Sequence, residues 1–326
     1  MSLPERLGRL HRVDRLGVGG FSSVWLFRDD ELRSDVAVKA LADNWAQRID
    51  IRERFLEEAR ILRAADSDHV VRVYDVGETG GEDGGTPYFV MTYADRGTVA
   101  DLMHEGQLPL ERVVPLVMQA GDGLAVLHAK GVVHRDIKPQ NLLLASDGLG
   151  RERVMVADLG VAKALIYASG LTQVVGTPAY MAPEQATGGG VDERADVHGL
   201  AAVAYHLLTG HVARSGGVRD LTLAKLPPPP STFVEVSPEV DEAILRGLEP
   251  DREDRWPDVA SFVEALTAAA PEAVPDTTIV GLRPRLPVPP RRRTTQGLPA
   301  AILVALCVVV ALAMFGASYA VVSMLQ

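Results

Sequence analysis

The sequence predicts an α+β chain that ends in a single apolar helix. Three observations carry this reading: short β-branched runs recur up to Met91, helical periodicity takes over beyond Gly97, and Leu298 to Leu325 holds no charged residue. With 326 residues, 47% of them hydrophobic, there is room for one large or two ordinary domains and a real core. The formal net charge is −10, from 33 Lys and Arg against 43 Asp and Glu, but the region from Asp276 onward has five Arg and one acid. Subtracting these leaves 28 basic and 42 acidic residues before it, a net of −14. An acidic body argues against nucleic acid as a partner, since phosphate backbones need clustered Lys and Arg. Cys307 is the one cysteine, which excludes an intramolecular disulfide and a thiolate metal site. Met1 to Arg6 lacks the apolar core of a signal peptide.

Taken in order, Val13–Leu16, Val24–Phe27 and Val36–Lys39 read as a hairpin and a third strand. The turn between the first two is Gly17-Val18-Gly19-Gly20-Phe21-Ser22-Ser23-Val24. Glycine there lets backbone amides approach a phosphate, although by itself the motif reads equally well as a plain glycine hairpin. Residues 49–65 form an amphipathic helix with Ile51, Phe55, Ala59 and Leu62 near helical spacing. Glu58 shares their face, three residues after Phe55 and four before Leu62, whereas Glu57 neighbours Arg54 and is solvated. Val70–Tyr74 and Tyr88–Met91 are further strands, separated by a Gly- and acid-rich loop from Gly77 to Gly85.

Helices follow at Thr98 to Glu105 and Leu110 to Lys130, the second with Val113, Val117, Leu124 and Leu127 on one stripe. His128 joins that stripe as a core or cap histidine, since no second ligand is spaced to join it on a metal. Next comes Val133-His134-Arg135-Asp136-Ile137-Lys138-Pro139-Gln140-Asn141-Leu142-Leu143-Leu144, a polar loop between apolar ends. In a phosphoryl-transfer site, Asp136 can accept the proton of an attacking hydroxyl, Lys138 can neutralise charge on the moving group, and Asn141 can hold a metal. Val154–Ala157 is a strand ending in Asp158-Leu159-Gly160, which delivers a carboxylate where it can bind Mg²⁺.

This ordered set resembles the protein kinases. The Asp136 loop is similar to their catalytic loop, and Lys138 two residues after Asp136 resembles the serine/threonine branch. Over about the first 270 residues the chain is similar to the eukaryotic-like serine/threonine kinases of bacteria. The resemblance implies a two-lobed fold: a small sheet lobe with one helix to about Thr92, and a mostly helical lobe to about Ala269, a catalytic domain over 8–269. It further implies transfer of the ATP γ-phosphoryl group to a Ser or Thr hydroxyl of protein substrates, with Mg²⁺ or Mn²⁺ neutralising charge. Lys39 would reach the nucleotide's α and β phosphates and pair with Glu58. Leu16, Gly17, Gly19, Val24, Ala37, Met91 and Leu143 would line the ATP pocket, with the backbone of Tyr93 and Ala94 bonding the adenine. Asp158 and Asn141 would hold the metal.

From Asp158 to Glu184 the chain resembles an activation segment, in which Thr177 would bond Asp136 and Lys138. Ser169 and Thr172 are candidate phosphosites in it, because Arg135 can pair with a phosphate on that segment. Asp196 would anchor the catalytic-loop backbone, and Arg255 would pair with Glu184. Four places depart from the family pattern: Ser22 replaces the third glycine, Thr92 a common Glu and Leu159 a common Phe, and Val197-His198-Gly199 after Asp196 matches only loosely. The alternative function is a pseudokinase scaffold that keeps the fold without chemistry.

After Ala270 the composition shifts to Pro, Thr and Arg, a linker over 270–297. Residues 298–323 exceed the ~20 apolar residues that cross a bilayer, leaving 324–326 beyond it. Arg291, Arg292 and Arg293 before it place the body on the cytoplasmic side of the cell membrane. With so short a tail outside, sensing of an external ligand is not expected. Gly316 and Ala320, four apart, permit a homodimer of helices. Thr277, Thr278, Thr294 and Thr295 offer sites for a phosphothreonine-binding reader.

Overall fold

The computed structural model describes residues 3–80, 85–160, 178–187, 190–215 and 225–274. All of them belong to the first of the chain's two units, Met1–Pro284. Residues 161–177 and 298–323, with the phosphosite candidates, Thr177 and the apolar segment, lie outside the described residues. Among the described residues no helix is long and apolar enough to cross a membrane.

The amino-terminal lobe is a six-stranded antiparallel sheet of β1 (Arg6–Leu7), β2 (Leu10–Val18), β3 (Ser22–Asp29), β4 (Ser34–Leu41), β5 (Val73–Glu78) and β6 (Pro87–Thr92). Their order across the sheet is β1-β2-β3-β4-β6-β5. Because side chains alternate along a strand, β4 serves two cores at once. Val36, Val38 and Ala40 face a small outer cluster with Trp25, Phe27 and Val90, closed by Leu3, Leu7 and Leu10. Ala37 and Leu41 face the main core with Phe89 and Met91, which puts Lys39 between them on the inner face. The segment carrying Leu3 and β1 was not legible in the sequence, where the first strand begins at Val13.

A short helix α1 (Asp43–Ala46) leads into α2 (Ile49–Ala64), which buries Ile51, Phe55, Glu58, Ala59 and Leu62 against the sheet. The predicted strand at Val70–Tyr74 is corrected: the ladder begins at Val73 and runs to Glu78. Val70 and Val71 pair instead with the second lobe, where the Val71 amide donates to the Val156 carbonyl at 2.9 Å and the Val156 amide to His69 at 2.9 Å. Both valines are fully buried there, so an apolar run that looks like a strand is spent on joining the two lobes.

The second lobe is mostly helical. After α3 (Val99–Leu102) and α4 (Leu110–His128) come a two-stranded ribbon, β7 (Leu142–Ser146) and β8 (Glu152–Val156), and then α5 (Pro183–Thr187), α6 (Arg194–Thr209), α7 (Pro238–Gly247) and α8 (Val259–Ala269). The stripe Val113, Val117, Leu124, Leu127 of α4 is buried as its periodicity predicts. Helix α6 is buried almost all round and stops at Gly210, which takes the left-handed conformation that suits a C-cap glycine. Packing continues past Ala269, since Ala270 and Ala273 both enter the core. Gly123 of α4 is a point of close approach, where a Cβ would sit 2.2 Å from the His69 carbonyl.

Below α6, Arg255 is almost wholly enclosed. Its Nη1 and Nη2 bond the two Glu184 oxygens at 2.7 and 2.9 Å, a forked pair. Its remaining donors go to the carbonyls of Glu249, Arg194 and Pro250 at 2.7, 3.1 and 3.1 Å, so all five N–H groups are used. Burial, reinforced by Arg214 and then Arg255, holds His198 well below the ordinary histidine range. Burial and Arg255 push Arg214 down to about 10.

Two outcomes follow from this packing. Gly123→Ala gains ~1 kcal/mol of helix propensity but meets backbone, so it should lower stability by about 1–3 kcal/mol in thermal unfolding; an unchanged or raised Tm would contradict the close approach. For His198 the unfolded chain takes up a proton near pH 6.5 while the folded protein keeps the ring neutral, so stability falls as pH drops below ~6.5, by at most ~1.4 kcal/mol per unit. His198→Leu should flatten that limb in denaturant titrations at pH 7 and 5, and parallel losses in both proteins would contradict it.

Candidate active site

Strand β4 delivers Lys39 from the inner face of the sheet, directly across from Val24 on β3 and Phe89 on β6. Its Nζ lies 2.6 Å from Glu58 Oε1 on α2 and 2.9 Å from Asp158 Oδ1, at the turn after β8. Lysine and Glu58 are 5% and 3% exposed, so water does not screen this contact. Burial, the largest influence, favours the neutral amine, but the carboxylates of Asp158 and Glu58 together outweigh it and raise the Lys39 pKa above its usual value. Glu58 is the glutamate that reaches Lys39, whereas Glu57 is at the surface and pairs with Arg60 at 3.0 Å.

The loop carrying Asp136 is held from below by one carboxylate. Asp196, buried at the start of α6, accepts the backbone amides of His134 at 2.7 Å and Arg135 at 2.8 Å, and the His128 ring at 2.8 Å. His128 is therefore a core histidine with a defined task, tying α4 to α6. Arg135 has φ +64° and Asp158 φ +60°, a region non-glycine residues seldom occupy. Both strained turns are braced by His134, whose Nε2 donates to the Ala157 carbonyl at 2.9 Å and whose carbonyl accepts the Gly160 amide at 3.1 Å. A side chain at Gly160 would crowd that carbonyl at 3.0 Å, which explains a glycine there.

Asp136 Oδ2 accepts Lys138 Nζ at 3.0 Å and Asn141 Nδ2 at 2.8 Å. The same Nδ2 also reaches the Asp136 carbonyl at 2.7 Å, so the Asn141 amide group is committed and its oxygen is the atom left to accept. Asp158 and Asn141 thus bring two oxygen donors, and among the described residues no cluster of three His, Cys, Asp or Glu accompanies them. That sparse set fits Mg²⁺, which takes one or two protein ligands and completes its shell from phosphates and water.

The apolar residues assigned to a nucleotide pocket converge on one core. Ala37 and Met91 are cross-strand partners and fully buried, while Leu16, Val24, Tyr93, Ala94 and Leu143 are partly buried against the same core. Gly17 pairs with Val24, and the Leu144 amide bonds the Gly97 carbonyl at 2.8 Å, which holds Leu143 beside the segment after β6. Gly19 closes the turn by donating to the Ser22 carbonyl at 2.7 Å. Thr92 has a local use, since its hydroxyl bonds the Arg72 carbonyl at 3.3 Å and meets the Tyr74 hydroxyl at 3.1 Å. Beside Asp136, a recess is lined by Arg135, Lys138, Tyr180, Met181 and Gln185. Sequence reasoning missed Gln185, whose Nε2 donates to the Arg135 carbonyl at 2.8 Å while its Oε1 accepts the Ala182 amide at 3.1 Å. It also missed the direct Lys39–Asp158 contact.

Comparison with known proteins agrees with this geometry. Residues 10–256 match the protein kinase domain. The serine/threonine-protein kinase PknB of Mycobacterium leprae is 36% identical over 272 residues, 80% of this chain and 43% of that protein. PknB of Mycolicibacterium smegmatis is 34% identical over 317 residues, 92% of this chain and 50% of that one, and Pkn1 of Myxococcus xanthus is 36% identical over 277 residues, 82% and 39%. The chain therefore spans half or less of the length of these relatives. Among solved structures, the Mycobacterium tuberculosis PknI kinase domain superposes with a TM-score of 0.65 at 26% identity, covering 82% of this chain and 100% of that domain. With its fold, its ion-paired lysine and its sequence all in agreement, the chain belongs to the protein kinase family.

Proposed function

We propose that this chain is a serine/threonine protein kinase, which transfers the γ-phosphoryl group of ATP to Ser or Thr hydroxyls of proteins. The observation that carries the reading is Asp136, whose carboxylate is held at once by Lys138 and Asn141 in a body that also pairs Lys39 with Glu58 and Asp158. Asp136 orients the substrate hydroxyl and accepts its proton, and Lys138 beside it offsets charge on the group in transit. Lys39 binds the nucleotide phosphates, and the apolar set from Leu16 to Leu143 receives the adenine. Mg²⁺, or Mn²⁺ with the same oxygen ligands, would be held by Asp158 and Asn141 and would neutralise phosphate charge when bound. By the family resemblance, Thr177 would complete the substrate side by bonding Asp136 and Lys138. A pseudokinase scaffold is disfavoured because Lys39, Glu58, Asp136, Asn141 and Asp158 are all retained.

Further parts of the proposal rest on sequence. Phosphate on Thr172 or Ser169 would dock against Arg135, which is solvent-exposed, and order the activation segment. Residues 298–323 would tether the body to the cytoplasmic face of the membrane, raising the encounter rate between copies and favouring autophosphorylation in trans. Gly316 and Ala320 would let two such helices pair, and phosphorylated linker threonines would recruit an Arg-lined reader. Asp136→Asn should lower transfer of labelled phosphate to a Ser/Thr peptide by at least about 10²-fold while leaving ATP binding, followed by calorimetry, within about two-fold. Near wild-type turnover in this variant would overturn the assignment.

A further inference from the structure

The glycine turn between β2 and β3 is fastened to α1 by contacts that the kinase reading leaves unused. Trp45 of α1 donates its indole N–H to the Gly20 carbonyl at 3.0 Å, and its ring packs against Phe21 with centroids 5.0 Å apart. The Ala42 amide, at the N-cap of α1, donates to the Phe21 carbonyl at 2.7 Å. The described chain has no cis peptide bond, and in a trans peptide the C=O and the following N–H point in opposite directions. Drawing the Gly20 carbonyl onto Trp45 therefore turns the Phe21 N–H away from α1. Drawing the Phe21 carbonyl onto Ala42 does the same for the Ser22 N–H. Amides presented together from a glycine turn form a concave anion site.

We propose that Trp45 is a positioning residue for the nucleotide: through Gly20 and Phe21 it pre-sets the amides of the glycine turn for a phosphate, so that binding does not have to order them. The proposal rests on the nucleotide-binding reading of this site. Glycine makes such a device necessary, because a Gly-rich turn loses more backbone freedom on ordering than any other sequence. Arg48 lies over the same indole, 5.9 Å from its centroid, and the Arg48 amide donates to the Trp45 carbonyl at 3.0 Å, so the anchor belongs to the turn that starts α2. Both hydrogen bonds end on backbone carbonyls of the glycine turn and on no side chain of the apolar pocket, so losing either one should act on ligands that carry phosphate.

The test compares a non-hydrolysable ATP analogue with adenosine, each binding the full chain in the presence of Mg²⁺, by calorimetry. Trp45→Phe keeps the ring on Phe21 and removes the N–H; it should weaken the analogue about five-fold, the equivalent of one hydrogen bond, and leave adenosine unchanged. Ala42→Pro is a second, independent variant. Ala42 has φ −73°, which proline accepts, and the substitution leaves the Trp45 side chain unchanged while its ring carbon replaces the N–H and pushes the Phe21 carbonyl away, deleting the other hydrogen bond. It should show the same split between the two ligands. Unchanged analogue affinity in both variants, or equal losses for analogue and adenosine, would overturn the role of Trp45. A wild-type chain that binds adenosine but gains nothing from the phosphates would overturn the nucleotide reading beneath it.

Discussion

The contact on which the rest of the structure depends is the ammonium group of Lys39, placed between Glu58 and Asp158. Three separate segments meet there: the central strand of the sheet, the one long helix of the first lobe, and the turn after β8. Taking a lysine and a glutamate out of water costs several kcal/mol per ion, and the contact is retained because each group finds a charged partner at hydrogen-bond distance. Single substitutions would leave a buried charge behind, which is why the pair reads as a functional commitment more than a source of stability. The double-faced burial of β4 serves the same end, since Val36, Val38 and Ala40 on one side and Ala37 and Leu41 on the other leave the strand little freedom to shift its lysine.

Strain in the second lobe answers this rigidity in the first. Arg135 and Asp158 occupy left-handed backbone conformations at a cost of order 1–3 kcal/mol each. Asp196 offsets the first with two amide hydrogen bonds, and His134 braces the second from both ring and backbone. Asp136 and Asp158 therefore reach the same region from two different turns, each held by a buried polar group that does not itself face the substrate side.

Much of this was legible in the sequence because the relevant signals are local. Helical spacing singled out Glu58 over Glu57, and the polar loop from His134 to Asn141 stood out between apolar ends. The resemblance to a known family supplied the long-range pairs, such as Arg255 with Glu184, that no local pattern contains. What escaped were effects that exist only after folding. Val70 and Val71 have strand-like residues but are drawn to Val156 of the other lobe, and Leu3 lies in a segment too short to show a period. Positive φ has no residue signature at Arg135 and only the weak one of aspartate at Asp158, and Trp45 meets Gly20 through a backbone carbonyl that any residue would offer.

Geometry, and not charge alone, should decide whether the Lys39 site works. Lys39→Arg keeps the positive charge but replaces a compact ammonium with a planar fork that cannot stand at the same distance from Glu58 and Asp158. Transfer of labelled γ-phosphate from ATP to a Ser/Thr peptide, measured for the two proteins with Mg²⁺, should fall by at least about 10²-fold in the arginine form. Turnover within a few-fold of the parent would contradict the claim that this one contact organises the site.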